Sequence, residues 1–258
     1  MNLFLQKHHT PHEAFPFDKA TIADYKEAMT MGMDLENKEI EDIVNNTAEP
    51  TFENTIEALE RGGKLLGDVS EVFFNLIEAE SNDEMDALAE EMSPVLSDHA
   101  NDIMFNPRLF ERVKAVYDHA PERLSTEQRQ LLDDTYKGFV RSGAHLPPDT
   151  QERLKAISSE TGVLSLRFSQ NKRKATNDYR LHLTNENDLK GLPQTAIDAA
   201  RMAARDQQLD GWLFTLHAPS RAPFMTYCQN RELRRQMYMA FNTICTEGSK
   251  YDNTDLVK

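Results

Sequence analysis

The sequence predicts a mainly α-helical protein with one small β element near residues 179–216. Apolar residues recur at three- and four-residue spacing through most of the first 175 positions, the period of a single helix face. Thr or Ser stands three residues ahead of an acidic or amide residue at several starts of these runs, the pattern of a capping box. Strict alternation is confined to YRLHL and WLFTL, as expected of short strands whose side chains point to opposite faces.

Thr21 and Asp24 start the first helix, with Ile22, Tyr25, Met29 and Met33 on one face, and it should run to about residue 44. Thr51 caps a second helix carrying Phe52, Ile56, Leu59, Leu66, Val69, Phe73, Leu76 and Ile77. Gly62 and Gly63 interrupt that helix at a cost of roughly 2 kcal/mol relative to two alanines, so they should mark a bend or a close helix crossing. Ser81 with Glu84 reads as the next capping box, ahead of Met85, Leu88, Met92, Val95 and Leu96. Asn106-Pro107 restarts a short helix through Leu109, Phe110, Val113 and Val116.

Ser125 with Gln128 begins a helix through Leu132, Tyr136, Phe139 and Val140, and Gly143 and Pro147-Pro148 mark its exit. A long helix follows over about 148–175, and the short connection predicts an antiparallel pair. The two alternating segments flank a helix around 193–207. Pro219 and Pro223 should bracket a turn, after which Leu233, Met237 and Phe241 belong to a final helix. This reading gives a helical domain over 1–175 and a small mixed helix/strand segment over 176–258. No internal repeat of fixed period is present to suggest a solenoid.

At 258 residues the chain can bury a core without disulfide staples. Its 29 Lys and Arg against 43 Asp and Glu give a formal charge of -14, which disfavours nucleic acid and anionic membranes as partners. No window approaches the length of a membrane-spanning apolar run, and MNLFLQKHHTPHE lacks the apolar stretch of a signal peptide. A cytoplasmic location is expected, a periplasmic one requiring an export signal upstream of residue 1. Cys228 and Cys245 are too few for a disulfide framework and read as buried small hydrophobes.

A helical hydrolytic zinc site needs two imidazoles one turn apart with a glutamate between them, and neither HExxH nor HxxEH occurs. His8, His9 and His12 with Glu13 form the densest histidine cluster, but Pro11 makes a preformed cage doubtful, so a polar arm is expected. His99 and His119 lie near Asp98, Asp102 and Asp118 on acidic helices, where solvated or hydrogen-bonded side chains are expected rather than acid-base catalysts. His145, His182 and His217 read as structural hydrogen-bonding groups, with cleft lining as the alternative.

The GxSxG elbow, GxGxxG and the GxxxxGK[ST] phosphate loop are absent. KRK at 172–174 reads as a solvated helix end, and Arg231, Arg234 and Arg235 as interface or ion-pair residues with a substrate channel as the alternative. Met29, Met31, Met33, Met85 and Met92 read as core, and Trp212, Phe214 and Tyr227 either as anchors of the second core or as cleft lining. No catalytic, cofactor-binding or metal-ligating residue is therefore assigned.

Seven segments, taken in order, carry a resemblance. They are NLFLQKHHTPHEAFPFDKATIADYKEAM, PTFENTIEALERGGKLLGDVSEVFFNL, ANDIMFNPRLFERVKAVYD, LSTEQRQLLDDTYKGFVRSGAHL, LKGLP, GWLFTLHAP and RELRRQMYMAFNT. The set resembles the amino-terminal half of the thimet oligopeptidase and oligopeptidase A family, and the arm and the PTFENTIEALE context are most similar to its bacterial peptidyl-dipeptidases. The resemblance implies a multi-helical region of a two-lobed zinc peptidase that encloses short or unfolded peptides in a deep channel. It also implies zinc in a longer parent protein, bound by an HExxH helix in a carboxyl-terminal catalytic region that these 258 residues lack.

Two functions follow as expectations. The first is a substrate-channel wall and scaffold of a zinc-dependent peptidyl-dipeptidase that releases dipeptides from peptide carboxyl ends, inactive when isolated and holding no metal of its own. Thr51, Glu53 and Asn54 then start a scaffold helix. The second is a noncatalytic helical peptide-binding or adaptor module.

Overall fold

A computed structural model describes residues 2–258. Ten α-helices and one two-stranded sheet occur among them, and the chain divides into two compact units. One unit runs to Val163 and the other is Leu164–Lys258, with the division falling inside a long helix. No helix of the described residues is long and apolar enough to cross a membrane.

In the first unit, α1 (Ile22–Asn45) opens on the expected capping box: Thr21 Oγ1 accepts from the Asp24 N–H, and the Asp24 carboxylate accepts from the Thr21 N–H. Thr51 and Asn54 form a second box, but the chain after them is not one helix. A π-helical stretch (Phe52–Glu57) leads into a single turn, α2 (Ala58–Arg61), and then a break. Gly62 is extended and Gly63 takes φ 67°, a left-handed conformation that L side chains adopt only with strain. The expected bend is thus a full interruption, and α3 (Lys64–Glu80) starts afresh on the far side.

The glycine that permits a close crossing is Gly32 of α1. A Cβ placed there would lie 2.9 Å from the Leu66 backbone of α3, so the two helices approach to a distance only glycine allows. Around this contact Tyr25, Met29, Val69 and Phe73 are buried, and the Tyr25 and Phe73 rings lie 5.2 Å apart.

Helix α4 (Asp83–Met104) begins one residue later than expected. Asn82 is the cap, accepting from the Met85 N–H at 2.9 Å, while the Ser81 hydroxyl is engaged by Asp86 at 2.7 Å. Asn ranks with Ser as a cap, and the competing Ser81–Asp86 bond selects between them. Asn106 caps α5 (Pro107–Asp118), and Ser125 with Gln128 forms the expected box on α6 (Thr126–Ser142), which ends at left-handed Gly143. Ile40, Ile43, Phe52, Ile56, Leu109, Val113, Leu132 and Phe139 pack as one apolar cluster from these elements.

Helix α7 (Pro148–Asp178) outlasts its predicted end by a turn, so KRK precedes the last turn, which carries no basic residue. In the second unit Asp178 accepts from Lys250 Nζ at 2.6 Å and Tyr251 Oη at 2.7 Å, bonds that hold its carboxyl below the usual range. Buried Asn253 bonds Phe168 O and the Asn171 amide, tying the last residues to α7.

Strands β1 (Leu181–Leu183) and β2 (Trp212–Phe214) pair antiparallel, Leu181 opposite Phe214 and Leu183 opposite Trp212. Helix α8 (Gln194–Asp206) lies between them in sequence, as predicted. Leu213 is buried along with Trp212 and Phe214, so β2 is covered on both faces despite its alternating sequence. The proline pair does not bracket a turn: both residues lie in α9 (Ala218–Tyr227). Pro219 occupies the first turn, where no N–H is required, and Pro223 forfeits one helical bond while Phe224 buries fully against Phe214. Helix α10 (Arg231–Asn242) completes the unit, with Met237 in the core and Phe241 exposed.

Two outcomes are expected. Gly32→Ala should lower stability by about 1–3 kcal/mol in urea unfolding, because its methyl must displace backbone. Gly138→Ala in α6, where the added methyl meets nothing within 4 Å, should instead gain about 0.5–1 kcal/mol.

The Thr21 hydroxyl and N–H hold the Asp24 carboxyl below its ordinary value. Its contribution is then fully present above the unfolded-state pKa and is lost as pH falls through the lower folded-state value. Asp24→Asn should flatten the acid limb of a stability-versus-pH curve relative to the parent chain.

Candidate functional site

A cavity of about 520 Å³ lies among α1, α3 and α4. Its position follows from the Gly32–Leu66 crossing. One turn beyond Gly32 on α1, Glu36 arrives beside the Gly62–Gly63 break, where a Cβ on Gly63 would come within 2.5 Å of Glu36 Oε1. The glycine therefore makes room for the carboxylate as well as supplying the left-handed turn. Glu39, nearly one turn further on, accepts the Gly63 N–H at 2.8 Å.

From the opposite side α4 contributes His99, whose Nε2 lies 2.8 Å from Glu36 Oε2. The His99 side chain is only 8% exposed and that of Glu36 20%, so the pair is largely withdrawn from water. Leu66, Phe74, Leu96, Ile103 and Met104 give the rest of the cavity an apolar wall. Such a site can hold an apolar group and direct one hydrogen bond or charge at it.

His99 stands near Asp98 and Asp102 in sequence, where a solvated or hydrogen-bonded side chain is expected. Its partner is instead Glu36, 63 positions away, and Asp102 pairs with Lys155. Nothing local in the sequence marks Glu36, because its partner stands on another helix.

A second buried polar node lies nearby. The Arg112 guanidinium of α5 donates from Nη1 to Asn46 O at 2.9 Å and Ala48 O at 3.3 Å, and from Nη2 to Asn54 Oδ1 at 3.1 Å. Nη2 also reaches Thr55 Oγ1 at 3.4 Å, while Nε is buried without a partner. The planar fork thus fixes the loop between α1 and the π-helical stretch.

The remaining candidates scatter. His9 and His12 are exposed, and His8 packs edge-on against Phe15. His119 Nδ1 contacts Ala115 O, His182 Nε2 contacts Asp210 O, and His217 bridges Thr215 Oγ1 and Asn177 Oδ1. His145 is exposed. Burial raises both cysteine thiols, Cys228 and Cys245, away from the reactive thiolate.

Arg235 grips Glu232, Arg234 donates to the Cys228 carbonyl and Arg231 is exposed, so the three do not converge on one point. Met29, Met85 and Met92 are core, whereas Met31 and Met33 are half-buried. Trp212 and Phe214 are core too, whereas Tyr227 is 54% exposed. Among the described residues no group of three or more His, Cys, Asp and Glu side chains is placed to hold a metal ion.

No family model matches the chain. It is 32% identical over 259 residues to the dipeptidyl carboxypeptidase of Salmonella typhimurium, covering 100% of this chain and 38% of that protein. The Escherichia coli dipeptidyl carboxypeptidase is 32% identical over 260 residues with the same coverage. Oligopeptidase A of Escherichia coli is 29% identical over 254 residues, 96% of this chain and 37% of the relative. The chain thus spans somewhat more than a third of the length of these three relatives.

Replacing Arg112 with Ala should cost at least about 1–3 kcal/mol in denaturant unfolding, since buried acceptors lose their donors. Arg112→Lys should not restore the loss, because one ammonium cannot serve both sides of the loop. Arg61→Ala, which removes an exposed pair with Glu57, should change stability by less than about 0.5 kcal/mol.

Proposed function

Because this chain matches the dipeptidyl carboxypeptidase and oligopeptidase A family of peptidases along its whole length, we propose that it is the channel wall and scaffold of a zinc-dependent peptidyl-dipeptidase. One observation carries the reading: the alignment with the two dipeptidyl carboxypeptidases covers every part of the chain, so both units are shared with them. In this reading the longer protein acts on short or unfolded peptides and releases dipeptides from their carboxyl ends. Its scaffold spans a helical domain over 1–175 and a mixed segment over 176–258. A cytoplasmic location is part of the same proposal.

Zinc does not fit the residues described above. The histidines are dispersed, and among the described residues no three ligands converge. No reaction step is therefore assigned through the metal to this chain. What its residues do is hold shape: Arg112 fixes the loop, the capping boxes fix helix starts, and Gly32 fixes the α1–α3 crossing. A rigid helical wall limits access by size, so extended peptides enter and folded proteins do not.

The 258-residue chain should show no zinc-dependent peptide cleavage, whereas the longer protein should release dipeptides from an amino-blocked peptide and stall when its carboxyl end is amidated. Mass spectrometry of the products decides the mode. Internal fragments would replace dipeptide release with endopeptidase action, and zinc-dependent turnover by the 258-residue chain would remove the scaffold assignment. Saturable peptide binding by that chain, unchanged by chelation and without turnover in the longer protein, would favour an adaptor.

A further inference from the structure

We propose that the cavity among α1, α3 and α4 binds a hydrophobic ammonium, a protonated nitrogen carried on an apolar body about the size of an aromatic side chain. The cavity's volume of about 520 Å³ lies within the roughly 300–1,000 Å³ of small-molecule sites. Phe74, Leu96, Ala100, Ile103 and Met104 would cover the apolar body. Glu36 supplies the charge that selects the ligand's polar end.

The electrostatics of the rim support that choice. Arg61 and Lys64 flank the Gly62–Gly63 break, but they pair along the chain with Glu57 and Asp68. Among the described residues no Lys or Arg pairs with Glu36 or Glu39. Glu39 receives a backbone N–H, and among the described residues Glu36 bonds only His99, on Oε2. Glu36 Oε1, the oxygen His99 does not use, lies against Gly63, a position that carries no side chain of its own.

An anion entering this cavity would meet the Glu36 carboxylate, and a neutral hydrocarbon would strip water from Glu36 without replacing it. An ammonium offers up to three donors and the compensating charge. The His99 ring, itself nearly buried, sets the carboxylate's orientation from the opposite side. Two sources share this chemistry: a free amine, and the amino terminus of a peptide that begins with an aromatic residue. The inference does not depend on the peptidase reading, because its readout is binding to the 258-residue chain.

Calorimetry with phenethylamine, Phe-Gly-Gly, N-acetyl-Phe-Gly-Gly and 3-phenylpropionate tests it, with imidazole NMR resonances reporting His99. Saturable binding of phenethylamine or Phe-Gly-Gly is expected, with a shift of the His99 signal that His99→Gln assigns by deleting it. Glu36→Gln should weaken the affinity about tenfold or more, the loss of a charged hydrogen bond. Ala100→Phe should abolish it by filling the cavity, with far-ultraviolet circular dichroism unchanged.

Binding of phenethylamine alone would identify free amines. Binding of Phe-Gly-Gly but not its acetylated form would identify peptide amino termini. Absence of saturation by both amines at millimolar concentration, or equal binding of 3-phenylpropionate, would overturn the proposal. So would undiminished affinity in the Glu36→Gln variant. If that variant does not fold, Glu36→Asp, which retracts the carboxylate, replaces it with the same expected weakening.

Discussion

The first unit depends on the close approach of α1 and α3 at Gly32 and Leu66. Helices usually pack with axes about 8–10 Å apart, the distance set by the side chains between them. Removing the side chain at position 32 lets the α3 backbone seat against α1. Everything one turn away inherits that register: Glu36 comes to the Gly62–Gly63 break, and Glu39 takes the Gly63 N–H. A wider crossing would separate Glu36 from Gly63 and open the cavity. The packing contact and the candidate site are consequences of the same glycine.

The sequence made the helix starts legible because a cap is a local event. Thr21 with Asp24, Thr51 with Asn54, Asn106 before Pro107 and Ser125 with Gln128 each satisfy backbone donors within three residues, so short-range pattern contains the whole interaction. The failures share a different physics. Ser81 lost the cap to Asn82 because Asp86 captured its hydroxyl, a competition the cap pattern ignores. Pro223 remained helical because Phe224 packs against Phe214 from a distant strand, and tertiary burial outweighed one missing bond. The glycine pair broke the helix outright because Glu36 and Glu39, from a preceding helix, stabilise the broken form.

The candidate site was less legible for the same reason. Its polar pair joins positions 36 and 99, and helical periodicity says which face a residue occupies but not which acid meets which imidazole. Asp102 lay nearer in sequence and went to Lys155 instead. Arg112 was equally hidden, since its acceptors are main-chain carbonyls of a loop and an amide of the π-helical stretch, all more than 50 positions earlier. An arginine at a position that helical spacing turns toward the core, between Leu109 and Val116, was the available signal: a cation there needs acceptors from somewhere else in the fold.

The two buried polar nodes divide their work differently, and the division bears on what the helical wall can do. Arg112 spends its fork on fixed carbonyl and amide acceptors and leaves Nε without a partner, an arrangement that holds one loop geometry. The Glu36–His99 pair uses one atom from each side chain and borders a cavity, so its hydrogen-bonding capacity is not exhausted by the fold. A scaffold requires the first kind of node and has no use for the second. The uncommitted capacity beside an apolar cavity is therefore the feature of this chain that architecture alone does not explain.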